Sequence, residues 1–366
     1  MQIQLERENL LKPVAIAAGV VERRQTLPIL SYVLFRVKDG KVTLTGTDLE
    51  VEVVTNIECR AEGGGEFTVP ARKLFDICRA LPEGAGINLA KQGEKVILKA
   101  GKSRFTLSNL PPRDFPVVES GSFEQALTLP QAALKAVLER TAFCMAQQDV
   151  RYYLNGLYLE INGTQLRAVA TDGHRMAVTE AESGASASKD LQAIVPRKGI
   201  QEISRLLTDS DEPIKLEFGK NNVRLTTPDL IFTSKLIDGR FPDYTKVIPS
   251  SQSKILELDR HVFREALGRV AILANEKYRG IRLNLERGRL SISAHNPEQE
   301  EAVEEVETAY NGETLEIGFN VNYLIEAAGA ITSATVLLGL NDSNSSCTLR
   351  APDDVSTQYI VMPMRL

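Results

Sequence analysis

The chain has 366 residues, 43% of them hydrophobic and 25% charged, a composition typical of a globular protein with two or three domains. Its net charge of −5 excludes a protein that coats nucleic acid with its whole surface, but allows a local basic patch. The N-terminus is charged from its fifth residue on, and no run approaches about 18 apolar residues, so we expect neither a secretion signal nor a membrane span. Widely spaced cysteines predict buried, reduced thiols in a cytoplasmic protein: Cys59, Cys78, Cys144 and Cys347.

An internal repeat organises the chain. Matching positions recur in the same order at spacings of 124 to 129 residues: Leu10, Leu134 and Phe263; Asp48, Asp172 and Asn296; Leu74, Ile200 and Leu324. A set of this kind in constant order is the mark of repeated structural units. We therefore predict three domains, residues 1–120, 121–250 and 251–366, with a polar run at 250–253 marking the second boundary.

Each repeat begins with a predicted amphipathic helix. Apolar residues recur at i, i+3, i+4, i+7, i+8 and i+11 from Leu10, Leu134 and Phe263, which places them on one helical face. A second helix in each repeat starts its apolar stripe at Leu74, Ile200 or Leu324. Alternation at period two predicts paired antiparallel strands at 41–54, 157–172, 215–227 and 282–294. The pattern predicts an α+β fold in which two helices per repeat pack on one face of antiparallel sheets.

Basic residues recur on the polar side of the second helices. Arg72 and Lys198 each precede the first stripe residue by two positions, which turns them about 160° away from it. Asp76 and Glu202 are predicted on the same outer face, so a merely solvated surface explains the pattern almost as well as phosphate contact. Repetition of charge at one helical position favours sequence-independent contact with phosphates.

One cluster, Asp172 with His174, could suggest acid–base catalysis. The matching segment of the first repeat, residues 47–50, has no histidine, and a turn after a strand explains the Asp-Gly pair. No nucleophile elbow, P-loop, dinucleotide-binding glycine motif or HExxH motif is present, so we predict no catalytic residue, metal or cofactor. The acidic run 297–307 is predicted to face solvent or a basic partner, although its paired carboxylates could in principle hold Mg²⁺. Two alternatives stay open: a hydrolase built on Asp172 and His174, and a repeat scaffold that binds proteins but never DNA.

Specific strings carry a resemblance to a known family: TLPIL (26–30), VPARKLFDICRALPEG (69–84), QQDVRYYLNG (147–156), VATDGHRMAV (169–178), GRFPDY (239–244) and VMPMRL (361–366). With the threefold repeat, they resemble the bacterial sliding clamps, the beta subunits of DNA polymerase III, along the whole chain. The resemblance implies a head-to-tail homodimer whose two chains form a six-domain ring around duplex DNA, with helices lining the hole. It implies a non-catalytic processivity factor, loaded by an ATP-driven clamp loader. Such a factor tethers the polymerase III alpha subunit, other DNA polymerases and mismatch-repair proteins through short peptides.

The resemblance also implies functional residues. DNA contacts would fall on Arg24, Arg72, Lys73, Gln148, Tyr152, Tyr153, Arg197 and Lys198. A partner-peptide groove would fall on Leu154, Thr171, Gly173, His174, Arg175, Met176, Pro242, Val247, Ser346, Ile360, Val361, Met362, Pro363, Met364, Arg365 and Leu366. The dimer seam would involve Lys73, Lys102, Arg104, Phe105, Ile272, Leu273, Glu298, Glu300, Glu301 and Glu304.

The physical character of the C-terminus agrees with a peptide groove. An apolar, methionine-rich terminus beside a proline suits an adaptable surface for short linear peptides. Met176 and Lys246 stand where the family often has leucine or arginine, which leaves the fine affinity for peptides open.

Overall fold

Antiparallel strand pairs account for most of the fold, and helices pack against them. The computed structural model describes residues 1–21, 27–116, 121–183 and 190–365. The helices are α1 (Arg7–Val20), α2 (Ala71–Ala80), α3 (Gln131–Thr141), α4 (Arg197–Leu206), α5 (Arg260–Val270) and α6 (Val321–Ala330). The strands are β1 (Gln2–Glu6), β2 (Tyr32–Lys38), β3 (Lys41–Thr47), β4 (Val51–Ile57), β5 (Arg60–Glu62), β6 (Gly65–Pro70), β7 (Gly86–Gln92), β8 (Lys95–Ala100), β9 (Ser103–Ser108), β10 (Phe123–Pro130), β11 (Gly156–Asn162), β12 (Gln165–Thr171), β13 (Arg175–Glu182), β14 (Leu191–Pro196), β15 (Pro213–Gly219), β16 (Asn222–Thr226), β17 (Leu230–Lys235), β18 (Lys254–Asp259), β19 (Gly280–Glu286), β20 (Arg289–His295), β21 (Glu301–Glu307), β22 (Leu315–Asn320), β23 (Thr335–Leu340), β24 (Cys347–Arg350) and β25 (Thr357–Val361).

The predicted helices and hairpins are confirmed, with one difference at the helix ends. The hairpins β3–β4, β11–β12, β15–β16 and β19–β20 are antiparallel pairs. The stripes that start at Leu134 and Phe263 are buried, but they do not stay α-helical to their ends. After α3 and α5 the chain tightens into single 3₁₀ turns, Ala142–Cys144 and Ala271–Leu273. Such turns are common at helix ends, where the last carbonyl groups need partners.

The chain folds into two units, and it passes between them three times. One unit comprises Met1–Gln131 with Gln201–Leu236, and the other comprises Ala132–Ile200 with Ile237–Leu366. The first holds sheets in the order β5-β1-β7-β8-β9 and β10-β15-β16-β17-β4-β3-β2-β6. The second holds sheets in the order β14-β11-β12-β13-β25-β24-β23-β18 and β21-β20-β19-β22.

Each eight-stranded sheet joins strands from two sequence repeats. In the first unit β17 pairs with β4, placing Phe232 opposite Val53. In the second unit β13 pairs with β25, placing Ala177 opposite Tyr359. Because neighbouring repeats share a sheet, the units do not follow the repeat spacing. The second pairing also brings the end of the chain beside the loop that precedes Arg175.

The prediction that Glu202 shares an exposed face with Asp76 is wrong. Asp76 is exposed, whereas Glu202 is only 9% exposed. Its carboxylate accepts a hydrogen bond from Arg205 at 2.6 Å and lies 3.7 Å from where a Cβ on Gly19 of α1 would stand. Glu202 therefore packs against α1, a contact that the period of its own helix could not reveal.

Burial disfavours ionisation of the four cysteine thiols. Cys78, Cys144 and Cys347 are buried, Cys59 is half-buried, and burial raises the pKa of each thiol. Within the described ranges, no group of three or more His, Cys, Asp or Glu side chains is arranged to hold a metal ion. In the same part of the chain, no helix is both long and apolar enough to cross a membrane.

Candidate partner-binding groove

The turn between β12 and β13 forms one wall of a surface groove. Thr171 Oγ1 donates to the carbonyl of Arg175 at 2.6 Å. Asp172 Oδ1 accepts the backbone N–H groups of His174 and Arg175 at 2.9 and 3.0 Å, and its Oδ2 accepts from Arg175 Nε at 3.1 Å. Both carboxylate oxygens therefore hold the turn together. Because both oxygens of Asp172 are bonded within the turn, the structure argues against a hydrolase built on Asp172 and His174.

The first repeat contains the same turn, held by the same hydrogen bonds, which supports the internal repeat read from the sequence. Asp48 Oδ1 accepts the backbone N–H of Val51 at 2.8 Å, and Thr47 Oγ1 donates to the carbonyl of Val51 at 2.7 Å. Leu49 has φ 80° there, and Gly173 at the matching position has φ 88°. The turn thus requires a residue with positive φ at this position in both repeats. Of the two, only the second repeat has a glycine there, which adopts positive φ without strain.

Arg151 explains why the second repeat needs glycine. A Cβ on Gly173 would lie 2.7 Å from Arg151 Nη1. The guanidinium is held in place, since it donates to Asp149 at 3.0 and 2.8 Å and to the carbonyl of Asp172 at 3.1 Å. These charge-assisted hydrogen bonds from Arg151 lower the pKa of Asp149 to about 2, so the pair stays ionised through neutral and mildly acidic pH.

Replacing Gly173 with Ala is expected to weaken peptide binding in the groove about tenfold. The methyl group adds strain at positive φ and pushes Arg151 away from the turn. Gly163→Ala is the matched control, because Gly163 has φ 59° but nothing within 4 Å of its Cβ position. Both variants should lose similar thermal stability, and only the first should lose peptide affinity in a fluorescence anisotropy titration. Equal affinity in both would contradict the role given to the packing of Arg151 on Gly173.

Arg175 anchors the turn from beneath. Its side chain is 12% exposed, pairs with Glu326 of α6 and donates to the carbonyl of Phe143 at 2.8 Å. The guanidinium also lies 4.6 Å from the ring centre of Tyr323. Arg175 therefore positions the groove wall through α6 and the 3₁₀ turn after α3.

The groove itself has a volume of about 250 Å³ and an aromatic floor. Tyr158 and Phe241 stack with ring centres 4.8 Å apart below it. Tyr244 donates its hydroxyl hydrogen to Glu160 at 3.0 Å and accepts from Arg167 at 3.1 Å, so its polar end is satisfied while its ring lines the groove. These contacts fix the positions of the rings at the base of the groove.

The C-terminal segment closes the groove on its other side. Met362 donates its backbone N–H to the carbonyl of His174 at 2.8 Å, and Met364 donates to the carbonyl of Gly318 at 2.9 Å. Pro363, between them, has no N–H to satisfy. The segment therefore continues beyond β25 with Met362 exposed and Met364 half-buried.

The structure brings nine of the predicted groove residues together in the lining of the groove, and the other predicted residues are not among those that line it. The following predicted residues line the groove: Leu154, Thr171, Gly173, Arg175, Met176, Pro242, Val247, Ile360 and Met362. Of the other predicted residues, His174 and Arg365 are exposed, Ser346, Pro363 and Met364 are half-buried, Val361 is buried, and Leu366 lies outside the described residues. The groove also contains residues that the sequence prediction did not assign to it: Arg151, Tyr153, Asp243 and Tyr244. Their proximity in sequence could have indicated them, since all four lie within three residues of Leu154 or Pro242.

Comparison with known proteins settles the family. The chain matches the N-terminal domain of the DNA polymerase III beta subunit over residues 1–119, its central domain over 128–243 and its C-terminal domain over 245–365. The chain belongs to the DNA polymerase III beta subunit family, the sliding clamps. It is 52% identical to the beta sliding clamp of Pseudomonas aeruginosa and 48% identical to that of Escherichia coli K12, each over 100% of both chains. A crystal structure of the P. aeruginosa DNA polymerase III subunit beta superposes with a TM-score of 0.97 at 52% identity, covering 100% of both chains. The chain is thus a non-catalytic processivity clamp of DNA polymerase III.

The residues predicted to touch DNA differ in how freely they meet solvent. Gln148, Tyr152, Arg72 and Lys73 are exposed. Tyr153, Arg197 and Lys198 are half-buried, and Arg24 lies outside the described residues. Arg197 donates to the carbonyl of Met145 at 2.9 Å, so part of its hydrogen-bonding capacity is already used within the clamp chain. Arg72 and Lys73 on α2 are therefore the clearest candidates for phosphate contact.

Most of the residues predicted for the dimer seam lie on or beside two sheet edges, while Lys73 lies on α2 and Ile272 and Leu273 lie in the 3₁₀ turn after α5. β9 is one edge strand of a sheet whose other edge strand is β5. β21 is one edge strand of a sheet whose other edge strand is β22. Lys102 and Arg104 are exposed and Phe105 is half-buried beside the first edge; Glu298, Glu300 and Glu301 are exposed beside the second. Ile272 is 76% exposed, Leu273 is half-buried, and Lys73 is exposed. Glu304 differs, because it accepts a bidentate ion pair from Arg269 of its own chain at 2.7 and 3.1 Å, which lowers its pKa.

Proposed function

We propose that two copies of the chain close head to tail into a six-domain ring around duplex DNA, with domain boundaries near 120 and 250. An uncovered sheet edge invites pairing with another strand, and here one edge is basic while the other is acidic. Lys102 and Arg104 beside β9 would meet Glu300 and Glu301 beside β21 of the second copy. Opposite charges at the rim would set the register. Exposed apolar residues such as Ile272 would supply the dry centre of the seam.

The groove is the proposed docking site for replication partners, one per copy, in a cytoplasmic protein. The single observation that carries this assignment is a groove of about 250 Å³ that combines Leu154, Met176 and Val247 with the polar turn at Thr171. Apolar pockets with a few fixed polar groups suit a short peptide carrying a glutamine and two apolar anchors. The polymerase III alpha subunit, the clamp loader, other DNA polymerases and mismatch-repair proteins would compete for it.

Retention on DNA tests the ring. Loaded by a clamp loader with ATP onto nicked circular duplex, the protein is expected to stay bound through gel filtration and to leave once the circle is cut. A topological link needs no tight contact, so release should follow linearisation even at low salt. A protein scaffold that never encircles DNA would show no difference between circle and line, and that result would sink the proposal.

Loss of basic residues from α2 is expected to reduce the salt dependence of direct DNA binding. Arg72→Ala with Lys73→Ala should weaken binding to every sequence alike and lower the salt slope by about one for each phosphate that is no longer neutralised. Lys38→Ala with Lys41→Ala removes the same charge from exposed positions of the β2–β3 hairpin and serves as the control. Identical slopes for the two variants would mean that the α2 residues are only solvated surface.

A further inference from the structure

Asn155 lies at the point where the loop that contains Arg151 returns to the sheet. The backbone carbonyl of Asn155 accepts the N–H of Arg197, the first residue of α4, at 2.9 Å. The next residue, Gly156, begins β11, and a Cβ there would lie 2.6 Å from the carbonyl oxygen of Val195 in β14. The backbone at Asn155 is therefore anchored to α4 and to β14.

The side chain of Asn155 closes this loop. Its Oδ1 accepts the backbone N–H of Asp149 at 2.9 Å, and its Nδ2 donates to the carbonyl of the same residue at 2.9 Å. One amide group thus holds both backbone groups of a residue that lies six positions earlier in the chain. A side-chain amide can do this because it carries a donor and an acceptor side by side, whereas an ionised carboxylate of the same shape offers only acceptors.

Asp149 passes this restraint on to the groove. Its carboxylate accepts two hydrogen bonds from the guanidinium of Arg151, which also donates to the carbonyl of Asp172 and packs on Gly173. Arg151 lines the groove, and Asn155 is not among the lining residues. Asn155 therefore lies behind the groove wall, where it holds the backbone of Asp149, and Asp149 in turn holds Arg151.

We propose that Asn155 is a positioning residue for the partner groove, which sets the direction of Arg151 without touching the peptide. This inference rests on the proposed role of the groove. Loss of the amide would free the backbone of Asp149, whose carboxylate would no longer hold the guanidinium against the turn at Gly173. A guanidinium that samples several directions loses conformational entropy when a peptide binds, so the affinity for the peptide falls.

Calorimetric titration of a peptide with a glutamine and two apolar anchors, hereafter the motif peptide, tests this role. Asn155→Ala and Asn155→Asp are each expected to weaken binding about tenfold, the effect of about one hydrogen bond. The second variant keeps the shape of the side chain but places a carboxylate oxygen against the carbonyl of Asp149. It decides the question should the alanine variant fail to fold.

Asn109→Ala is the matched control, because Asn109 makes the same kind of double contact in the other unit of the chain. Its Oδ1 accepts the N–H of Thr68 at 2.9 Å, and its Nδ2 donates to the carbonyl of Gly93 at 3.1 Å. The control should lower the melting temperature about as much as Asn155→Ala does, since two hydrogen bonds are lost in each case. It should leave the affinity for the motif peptide unchanged.

A double substitution shows whether Asn155 acts through Arg151. Arg151→Ala alone removes the guanidinium from the groove wall and should itself weaken binding. Adding Asn155→Ala to it should weaken binding by less than about twofold more, because residues of one hydrogen-bond network do not contribute additively. A residue that served only the stability of the fold would show no such dependence on Arg151.

Several outcomes overturn the inference. Parental affinity in both Asn155 variants would do so, as would losses that multiply in the double variant, because Asn155 would then act independently of Arg151. If Asn109→Ala weakens binding as much as Asn155→Ala, the loss reflects stability alone. Failure of the motif peptide to bind the parent protein would overturn the groove assignment itself, and this inference with it.

Discussion

Replacing both Ile272 and Leu273 with Ala is expected to yield a folded monomer of 40.3 kDa. The two residues lie in the 3₁₀ turn after α5, where Ile272 is 76% exposed and touches little of its own chain. If the seam covers them, truncation costs about 2–5 kcal/mol for each large side chain that is fully buried there. A ring closed by two identical seams pays this cost at both of them, and the alanine side chains offer nothing in compensation.

Sedimentation at micromolar concentration measures the outcome. Ile255→Ala with Val355→Ala is the matched control, because it removes two exposed aliphatic side chains from places not assigned to the seam. The control should sediment as a dimer, and circular dichroism should report the same fold for both variants. A seam variant that still sediments as a dimer would place the interface elsewhere on the chain.

Local patterns were enough to predict the elements of the fold. The stripes from Leu134 and Phe263 are buried as predicted, because helical period alone decides which side chains share a face. The matching turns at Asp48 and Asp172 follow from their sequence, since each uses its own carboxylate to bind the next N–H groups. Such features depend on a few neighbouring residues, and the sequence carries all of them.

Pairings between distant segments could not be predicted in this way. Nothing in the alternation of β4 or β17 says that Val53 faces Phe232, because either strand could pair with any edge of suitable length. Glu202 shows the same limit, because it is buried beside Gly19, which lies in another helix. The position of the C-terminal segment escaped the sequence as well, since the bond from Met364 to Gly318 is what places it beside β22.

The groove was predicted largely through the family resemblance, and the structure supplies the physical account. Pro242 and Ile360 are far apart in sequence and line one groove because β25 pairs with β13 while Phe241 stacks on Tyr158. Arg151 lies between Gln148 and Tyr152, two residues predicted to contact DNA, yet its guanidinium supports the turn at Gly173. One loop thus carries Tyr152 toward solvent and Arg151 toward the groove. A side chain's direction, which spacing in a loop does not encode, separates the two roles.

Deleting residues 362–366 is expected to abolish binding of the motif peptide while leaving the dimer intact. The deletion removes Met362 from the groove wall and the backbone bond that Met362 makes to His174. β25 ends at Val361, so every strand pair of the sheet keeps its partners and the truncation takes only a terminal segment. Stimulation of the polymerase and loading by the clamp loader should disappear together, because both depend on the same groove.

A shorter deletion, of residues 365 and 366, is the control for this prediction. It keeps Met362 and Met364 with both of their backbone bonds, so the motif peptide should still bind with micromolar affinity in a calorimetric titration. Equal binding of the motif peptide to the parent and to the longer deletion would show that partners dock elsewhere. The wall formed by Met362 would then be only the end of a strand, and the assignment of the groove would have to be abandoned.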